Sequence, residues 1–182
     1  MCQKGGKMQL NLYTIDSNYV AYLKQFENKV PLTTGKKEDR PFIGLILCVE
    51  AKNYFAPLTS PKKKHLVMKD AQDFLRIDKG NLGAINLNNM IPVPRRYLNK
   101  IFLERIEDKK YKNLLELQLA WINEHQERIS HYARNLYYLI TNKTASQELQ
   151  NRCCNYKLLE EKCKEYMQKN SLREEELEYR YE

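Results

Sequence analysis

The sequence is organised around residues 42–65, FIGLILCVEAKNYFAPLTSPKKKH, in which two hydrophobic runs precede a lysine-rich segment. The run from Phe42 to Glu50 predicts a central strand, residues 51–53 predict its turn, and residues 54–57 predict the returning strand of a hairpin. Two hydroxyls, three lysines and a histidine then follow within residues 59–65. We expect the hairpin to end in a cluster of groups suited to an anion such as a phosphodiester.

The start of this polar segment allows two interpretations. Thr59 and Ser60 stand before Pro61, a pattern typical of a capped helix start with proline in the first turn. Backbone N–H groups at a helix start favour an anion. A solvated loop with a capped helix is the simpler alternative, and these residues alone do not decide between them.

Outward from this segment, hydrophobic periodicity predicts an antiparallel β unit with a small helix. Residues 8–13 alternate apolar and polar side chains and predict a half-buried strand. Asp16 or Ser17 is expected to cap a short helix that carries Tyr19, Val20, Leu23 and Phe26. Further strands are predicted over residues 73–78 and 82–87, with a short extended edge over residues 91–94.

After Arg96 the period becomes helical. Two helices are expected to meet near residues 123–127, and a third to cover residues 155–169. Leu114, Leu117 and Trp121 are predicted to mark the buried face of the first of them. Strands followed by helices predict an α+β fold with a C-terminal helical half. We expect one domain over residues 8–170, an N-terminal extension over residues 1–7 and an acidic tail over residues 171–182.

Charge is distributed unevenly along the chain. Residues 1–112 carry 21 lysines and arginines against 11 acidic residues, whereas residues 113–182 carry 10 against 12. The clusters at residues 62–64 and 95–96 favour a polyanion site built mainly from the first half. Nucleic acid is therefore the expected partner class. A membrane surface is disfavoured because no basic amphipathic helix supports it.

Several chemistries find no support in the sequence. No apolar run has the length of a transmembrane helix, and the five cysteines match neither a disulfide framework nor a zinc site, which favours a cytoplasmic protein. No phosphate-binding glycine loop and no paired zinc histidines are present. Carboxylates in the first half are scattered, so no metal or cofactor is expected. Cleavage of a phosphodiester would then imply RNA, whose 2′-hydroxyl serves as an internal nucleophile.

Several short motifs, taken together, resemble the ToxN/AbiQ family, the endoribonuclease toxins of type III toxin–antitoxin systems. They are NLYTI at residues 11–15, SNY at 17–19, FIG at 42–44, APLTSPKKKH at 56–65, INLNNMIPV at 85–93 and CNYKLLEEK at 154–162. Their order and spacing are similar throughout residues 8–167.

The resemblance implies a fold and a mode of action. The fold would be a strongly twisted antiparallel sheet with added helices, akin to MazF/Kid-type toxins. Family members are metal-independent endoribonucleases that leave 2′,3′-cyclic phosphate ends, cut cellular RNA and process the repeat precursor of their own RNA antitoxin. Pseudoknotted repeats of that RNA inhibit the toxin and assemble with it into closed rings. Several members abort phage infection, so phage RNA is also an expected substrate.

The resemblance also assigns site residues. Tyr19, Thr59, Ser60 and Lys62 match the family's active-site residues, and Arg40 stands where the family can have a lysine. Arginine hardly titrates, so Arg40 would hold phosphate rather than transfer a proton. Lys62 would stabilise charge or donate a proton, and Thr59 or Ser60 would orient the phosphate or the 2′-hydroxyl. The expected RNA contacts are Lys29, Lys63, Lys64, Asn86, Arg95 and Arg96.

Alternatives stay open for two of these residues and for the function. Tyr19 could pack at the helix–sheet junction instead of contacting RNA, and His65 could be a structural histidine instead of a general acid. The protein could also bind RNA without cutting it. A protein-interaction module would use Trp121 and the tyrosine-rich residues 132–138, although those positions are more simply explained as core.

Overall fold

The computed structural model describes residues 9–31, 41–46 and 53–178. Within these residues the chain forms seven strands, six α-helices and short 3-10 turns. The strands pair into an antiparallel sheet, and the long helices follow them in sequence. The predicted α+β class with a C-terminal helical half is therefore confirmed.

The central strand of the sheet is the one that leads into the lysine-rich segment. In chain order the strands are β1 (Leu12–Ile15), β2 (Phe42–Ile46), β3 (Asn53–Thr59), β4 (Phe74–Arg76), β5 (Ala84–Asn86), β6 (Ile91–Pro92) and β7 (Leu98–Lys100). Their order across the sheet is β4-β5-β3-β2-β1-β7, and β6 also pairs with β3. The end of β3 at Thr59 pairs with Ala84 of β5.

The predicted hairpin is confirmed, while the outer strands differ from the prediction. β2 and β3 pair from Phe42 opposite Pro57 to Ile46 opposite Asn53. Asn53, predicted as turn, is therefore already in β3, which runs on to Thr59 rather than ending at residue 57. Residues 47–52 lie outside the described part of the chain. β1 begins at Leu12, so the predicted residues 9–11 lie before the strand, because its ladder partners on β2 and β7 face residues 12–15; residue 8 lies outside the described residues. β7 was not predicted, since only one of its three residues is apolar and its pairing with β1 is distant in sequence.

The helices agree with the predicted order. They are α1 (Ser17–Lys24), α2 (Lys63–Val67), α3 (Lys109–Glu124), α4 (Gln126–Thr141), α5 (Gln147–Arg152) and α6 (Tyr156–Glu178). The Asp16 cap is confirmed, because its carboxylate accepts a hydrogen bond from Tyr19 N at 2.8 Å. α6 continues past the predicted end at residue 169, through Asn170 and Ser171 and then through leucine, arginine and glutamate, of which the last three are good helix formers. The expected domain boundary at residue 170 thus falls inside a helix.

The predicted buried face of α3 is wrong at Leu117, while Leu114 and Trp121 are half-buried and Trp121 packs against the core. Leu115, Gln118 and Ile122 are its buried residues, whereas Leu117 is 46% exposed. α3 carries apolar residues on more than one face, so the helical period is compatible with two rotations of the helix. Packing against the end of β3 selects the rotation that buries Gln118. No helix within the described residues has both the length and the apolar character needed to span a membrane.

Tyrosines join the sheet to the helices. Tyr54 of β3, Tyr137 of α4 and Tyr156 of α6 pack ring against ring at centroid distances of 5.5, 5.7 and 5.9 Å. The hydroxyls of Tyr54 and Tyr137 both donate to Glu160 Oε1, at 2.7 and 2.8 Å. The Tyr156 hydroxyl donates to the Leu87 carbonyl at 3.0 Å. These three tyrosines and Glu160 form what we call the Glu160 cluster, which fixes α4 and α6 against the central strand.

Candidate active site

The candidate site lies where β3 ends and the chain leaves the sheet. We call residues Thr59–Lys64 the hydroxyl–lysine segment. Thr59 is half-buried and its hydroxyl donates to the Ala84 carbonyl at 3.4 Å, while the side chains of the next five residues are exposed. The segment therefore presents a hydroxyl and three amines to solvent at the end of the central strand.

The predicted hydroxyl cap of the following helix is wrong. α2 begins at Lys63, and its N-cap residue is Lys62, whose extended backbone (φ −141°, ψ 146°) makes no side-chain cap. Because the chain stays extended up to Lys62, the hydroxyls of Thr59 and Ser60 precede the first turn and cannot reach its N–H groups. The Ser60 hydroxyl is consequently exposed and makes no hydrogen bond to the described part of the chain.

Within the described residues, no carboxylate neutralises the positive charge of the segment. Lys62, Lys63 and Lys64 are exposed, and none forms an ion pair with an acidic residue in the part of the chain that the structure describes. Three neighbouring ammonium groups raise the local potential and favour a polyanion. The charge is thus available to a phosphate backbone.

The turn between β4 and β5 lies directly against the hydroxyl–lysine segment and His65. At Gly83 a Cβ atom would lie 1.9 Å from the Thr59 carbonyl oxygen, and at Gly80 it would lie 2.4 Å from the His65 carbonyl oxygen. Both glycines have positive φ, +98° and +101°, which side-chain-bearing residues rarely adopt. Glycine at these positions allows the two backbones to touch and so fixes where β3 ends.

Gln118 of α3 supports the same strand end. Its side chain is 1% exposed, and Nε2 donates to the Leu82 carbonyl at 2.6 Å and to the Thr59 carbonyl at 3.4 Å. One amide therefore joins the helix, the β4–β5 turn and the end of β3. Gln118 was not predicted, because the spacing of Leu114, Leu117 and Trp121 indicated that another face of α3 is buried. The available signal was a polar residue flanked by Leu115 and Ile122 at helical spacing.

His65 is buried beneath the segment. It is 1% exposed, its ring centroid lies 5.8 Å from that of Phe74, and its Nδ1 has no hydrogen-bond partner among the described residues. Burial, together with the charges of Lys64 and Lys62, lowers the pKa of His65 below its ordinary value. The ring is therefore neutral at pH 7. Burial against Phe74 agrees with the structural alternative, whereas the unpaired Nδ1 does not, so the structural and general-acid roles both stay predictions.

Tyr19 is fully buried at the junction of α1 and the sheet. Its hydroxyl donates to the Pro92 carbonyl at 2.6 Å, and its ring stacks on Tyr97 at 5.0 Å. Burial, with a further contribution from Cys163, raises the pKa of Tyr19 well above the usual value for a phenol. In this structure the residue fills the packing role that the sequence left open. A direct contact with RNA would require the ring to become exposed.

The remaining predicted contacts are spread over the molecule. Asn86 ends β5, two residues beyond Ala84, which is the partner of Thr59, and is half-buried. Lys29 lies elsewhere, with its Nζ 3.5 Å from the buried Glu27 carboxylate. Arg95 and Arg96 are exposed in a 3-10 turn before β7, at the opposite edge of the sheet. Arg40 lies outside the described residues.

The cysteines provide no metal or redox centre in the part of the chain described. Cys153, Cys154 and Cys163 are free thiols, and burial raises the pKa of both Cys153 and Cys154 to about 12. Within residues 9–31, 41–46 and 53–178, no group of three or more histidine, cysteine, aspartate or glutamate side chains is arranged to hold a metal ion.

The fold and the strand end together define an α+β protein with a basic, hydroxyl-bearing site suited to a phosphodiester. Comparisons with known proteins identify the family to which the chain belongs. A family model described as toxin ToxN of the type III toxin–antitoxin system matches residues 11–164. The endoribonuclease ToxN of Pectobacterium atrosepticum is 33% identical over 165 residues, which cover 86% of this chain and 94% of that protein.

Two solved structures share the fold. One concerns a bacterial type III system with selective toxin inhibition by a non-coding RNA pseudoknot; it has a TM-score of 0.75, 28% identity and coverage of 88% of this chain and 99% of that one. The other is AbiQ, a lactococcal anti-phage endoribonuclease of a type III system. Its TM-score is 0.77, its identity 26%, and the match again covers 88% of this chain and 99% of that one.

The chain therefore belongs to the ToxN family of type III toxin–antitoxin toxins, as the short motifs indicated. It is an endoribonuclease. An exposed lysine and hydroxyl cluster at the end of the central strand is consistent with that activity.

Proposed function

We propose that this protein cuts RNA without a metal ion, by attack of the 2′-hydroxyl on the adjacent phosphate. In this reaction the O2′–P bond forms, the P–O5′ bond breaks, the 2′-hydroxyl loses a proton and the leaving O5′ gains one. The products carry a 2′,3′-cyclic phosphate and a 5′-hydroxyl. The single observation that carries the proposal is the exposed hydroxyl–lysine segment, whose lysines form no ion pair with the described residues and which backbone contacts hold in place at the end of β3.

The residues of the segment and its surroundings have different roles in the proposed reaction. Lys62 places a positive charge beside the phosphate, where negative charge develops in the transition state. Ser60 and Thr59 orient the phosphate oxygens or the 2′-hydroxyl by hydrogen bonds, and Arg40 holds a neighbouring phosphate. Lys63, Lys64 and Asn86 bind the adjoining RNA backbone. Burial favours positioning roles for Tyr19 and His65 over direct contact with RNA, and general acid catalysis by His65 is the alternative role.

We extend the proposal to the partners. The solved relative that is inhibited by a non-coding RNA pseudoknot suggests that a small structured repeat RNA inhibits this toxin, is processed by it and forms closed rings with it. The anti-phage activity of AbiQ suggests a role in aborting phage infection, with bacterial and phage RNA as cytoplasmic substrates. A sheet twist like that of MazF/Kid toxins remains part of the same proposal.

The two alternative functions have less support. A protein that binds RNA without cutting it does not agree with membership of an endoribonuclease family. A protein-interaction module would need its aromatic residues at the surface, yet Tyr137 is buried and half-buried Trp121 stacks on His125 at 4.0 Å. Only Tyr138 of the predicted interface is largely exposed.

The proposal is tested with purified protein and an in-vitro bacterial transcript in EDTA. We expect discrete fragments whose 3′ ends carry a cyclic phosphate, detected by mass spectrometry. Ser60→Ala should slow cleavage by about 100-fold, the typical loss for one transition-state hydrogen bond. Ser130→Ala on α4 serves as the matched control and should cut normally. Intact RNA, or cleavage only after magnesium is added, would contradict the mechanism.

A further inference from the structure

Three consecutive apolar side chains lie exposed just after the hydroxyl–lysine segment. Leu66 is 54% exposed, Val67 83% and Met68 36%, whereas His65, which precedes them, is buried. We call these three residues the α2 apolar surface, because α2 ends within them. An exposed run of three apolar residues is unfavourable in water unless a partner covers it. The position of the run beside the candidate active site indicates what that partner is.

The helical period places this surface beside the lysines. α2 begins at Lys63, and residues three and four positions apart on a helix are neighbours, with about 5–6 Å between their Cβ atoms. Leu66 and Val67 are therefore the neighbours of Lys63 on α2. Since His65 is buried, the side of the helix that carries Lys63 and Val67 faces solvent. An ammonium group and an apolar surface thus lie next to each other, within the length of one nucleotide.

The surroundings of the surface are positively charged. Lys62–Lys64 precede it and Lys69 follows it, and all four lysines are exposed. The next acidic residue, Asp70, accepts hydrogen bonds from Arg76 Nε at 3.1 Å and from the Arg128 guanidinium at 2.7 Å, so its charge is already paired. A second copy of this chain would bring like charges together here, whereas RNA would bring phosphates to the lysines. The charge therefore favours RNA as the partner.

The proposed reaction requires an unstacked base at this place. For attack by the 2′-hydroxyl, O2′, phosphorus and the leaving O5′ must lie in line, and a nucleotide in a stacked helix does not hold that geometry. The nucleotide on the 5′ side of the cut bond must therefore leave the stack, which exposes the faces of its base. Proteins bind such bases by stacking them against aromatic or apolar side chains.

We propose that Leu66 and Val67, together with Met68, bind the unstacked base on the 5′ side of the cleaved bond, while Lys62 and Lys63 hold the phosphate that is cut. The inference rests on the proposed function, because it assumes that this phosphate is bound at the hydroxyl–lysine segment. Apolar contact covers the face of a base and does not read its edge. The surface consequently selects an unpaired nucleotide rather than a sequence, and paired RNA is cut more slowly.

Substitutions that remove the apolar character test the surface. The substrate is a synthetic RNA that spans a cleavage site mapped on the bacterial transcript. The double variant Leu66→Ser with Val67→Ser should lower kcat/KM by about 10- to 100-fold, the factor for uncovering one aliphatic side chain. Leu66→Met with Val67→Ile keeps the surface apolar and should cut within about threefold of the unchanged protein. Leu117→Ser, at a leucine of α3 that is 46% exposed, is the matched control and should have no effect.

The same RNA without the base on the 5′ side of the cut bond separates direct contact from an indirect effect. Removing this base should lower kcat/KM of the unchanged protein by about tenfold or more. The loss should be at least about fivefold smaller for the serine double variant, because the contact with the base is already absent there. Thermal unfolding checks that each variant is folded.

Several outcomes would overturn the inference. If the serine double variant cuts intact RNA within twofold of the unchanged protein, the surface does not bind the base. If the base-free RNA loses the same factor with both proteins, the two residues act through the shape of α2. Loss of a sedimenting dimer in the double variant, with cleavage unchanged, would show that a second copy covers the surface. An unchanged protein that cuts no RNA would refute the proposed function together with this inference.

Discussion

The polar side chains at the two ends of β3 are in opposite environments: they are buried and hydrogen-bonded at one end and exposed to solvent at the other. At Tyr54 the strand enters the Glu160 cluster, where the Tyr54 and Tyr137 hydroxyls share one carboxylate oxygen and the surrounding rings are buried. At Thr59, five residues on, the strand opens into a segment whose serine and lysines are exposed and have few partners. One strand thus connects a satisfied, buried network to an open, charged surface.

The comparison separates the residues that hold the fold from those available for chemistry. Buried polar groups stabilise a protein only when they are hydrogen-bonded, as in the Glu160 cluster. Polar groups that are held at a fixed position without a protein partner can form hydrogen bonds and ion pairs with a substrate. We therefore expect substitutions at the two ends of β3 to change different measurable quantities.

The largest effect on stability is expected in the Glu160 cluster. Tyr156→Ala removes a fully buried ring that packs on two other tyrosines and should lower the free energy of unfolding by about 3–5 kcal/mol. Tyr156→Phe removes only the hydrogen bond to the Leu87 carbonyl and should cost about 1 kcal/mol. Urea unfolding measures both values. Equal losses for the two variants would show that ring packing does not hold the cluster.

The next effect is expected where the β4–β5 turn touches the site. Gly83→Ala forces a side chain into a backbone that has φ +98° and lies against the Thr59 carbonyl, so it should cost about 1–3 kcal/mol. Because Thr59 must shift, RNA cleavage should fall by about 100-fold. Asn81→Ala, at an exposed position in the same turn, is the control and should change stability by less than about 0.5 kcal/mol. Normal cleavage by folded Gly83→Ala protein would refute the idea that this turn fixes the strand end.

A smaller effect is expected for the amide that links α3 to the same strand end. Gln118→Leu leaves the Leu82 and Thr59 carbonyls without their donor and should lower the free energy of unfolding by about 1–3 kcal/mol. Cleavage measured on the folded fraction should fall as well. Leu117→Ala, on the exposed face of the helix, should do neither. The prediction fails if both variants behave alike.

The smallest effect concerns pH. Because the pKa of His65 is lowered in the folded state, the unfolded chain binds the proton more readily. The stability is fully present above the unfolded pKa of about 6.5 and is lost as the pH falls from that value through the lower pKa of the folded state, by at most about 1.4 kcal/mol per pH unit. His65→Asn should flatten the slope of stability between pH 7 and pH 5. His131→Asn, at an exposed histidine, should keep the original slope; if both variants keep it, His65 is not the group responsible.

Local signals could be predicted from the sequence. The Asp16 cap and the β2–β3 hairpin depend on neighbouring residues, and both are found where expected. The hydroxyl–lysine segment was also evident, because its residues are contiguous. The backbone conformation of the segment could not be predicted: the chain is extended at Lys62, and no hydroxyl caps the helix that follows.

The missed features have tertiary causes. Gln118 is buried because two distant carbonyls accept its hydrogen bonds, and the helical period of α3 does not encode those partners. β7 forms because it can pair with the edge of β1 that does not face β2. The burial of Tyr19 and His65 likewise depends on Pro92, Tyr97 and Phe74, which come from other elements.

The central claim is that the open end of β3 performs the chemistry without holding the fold. Its most direct test is the single-turnover rate of RNA cleavage and the melting temperature of Lys62→Ala, measured beside Lys157→Ala on the helical half. We predict a rate about 100- to 1,000-fold lower for Lys62→Ala, with a melting temperature equal to that of the control. A normal rate, or a rate lost only in proportion to lost stability, would contradict the account.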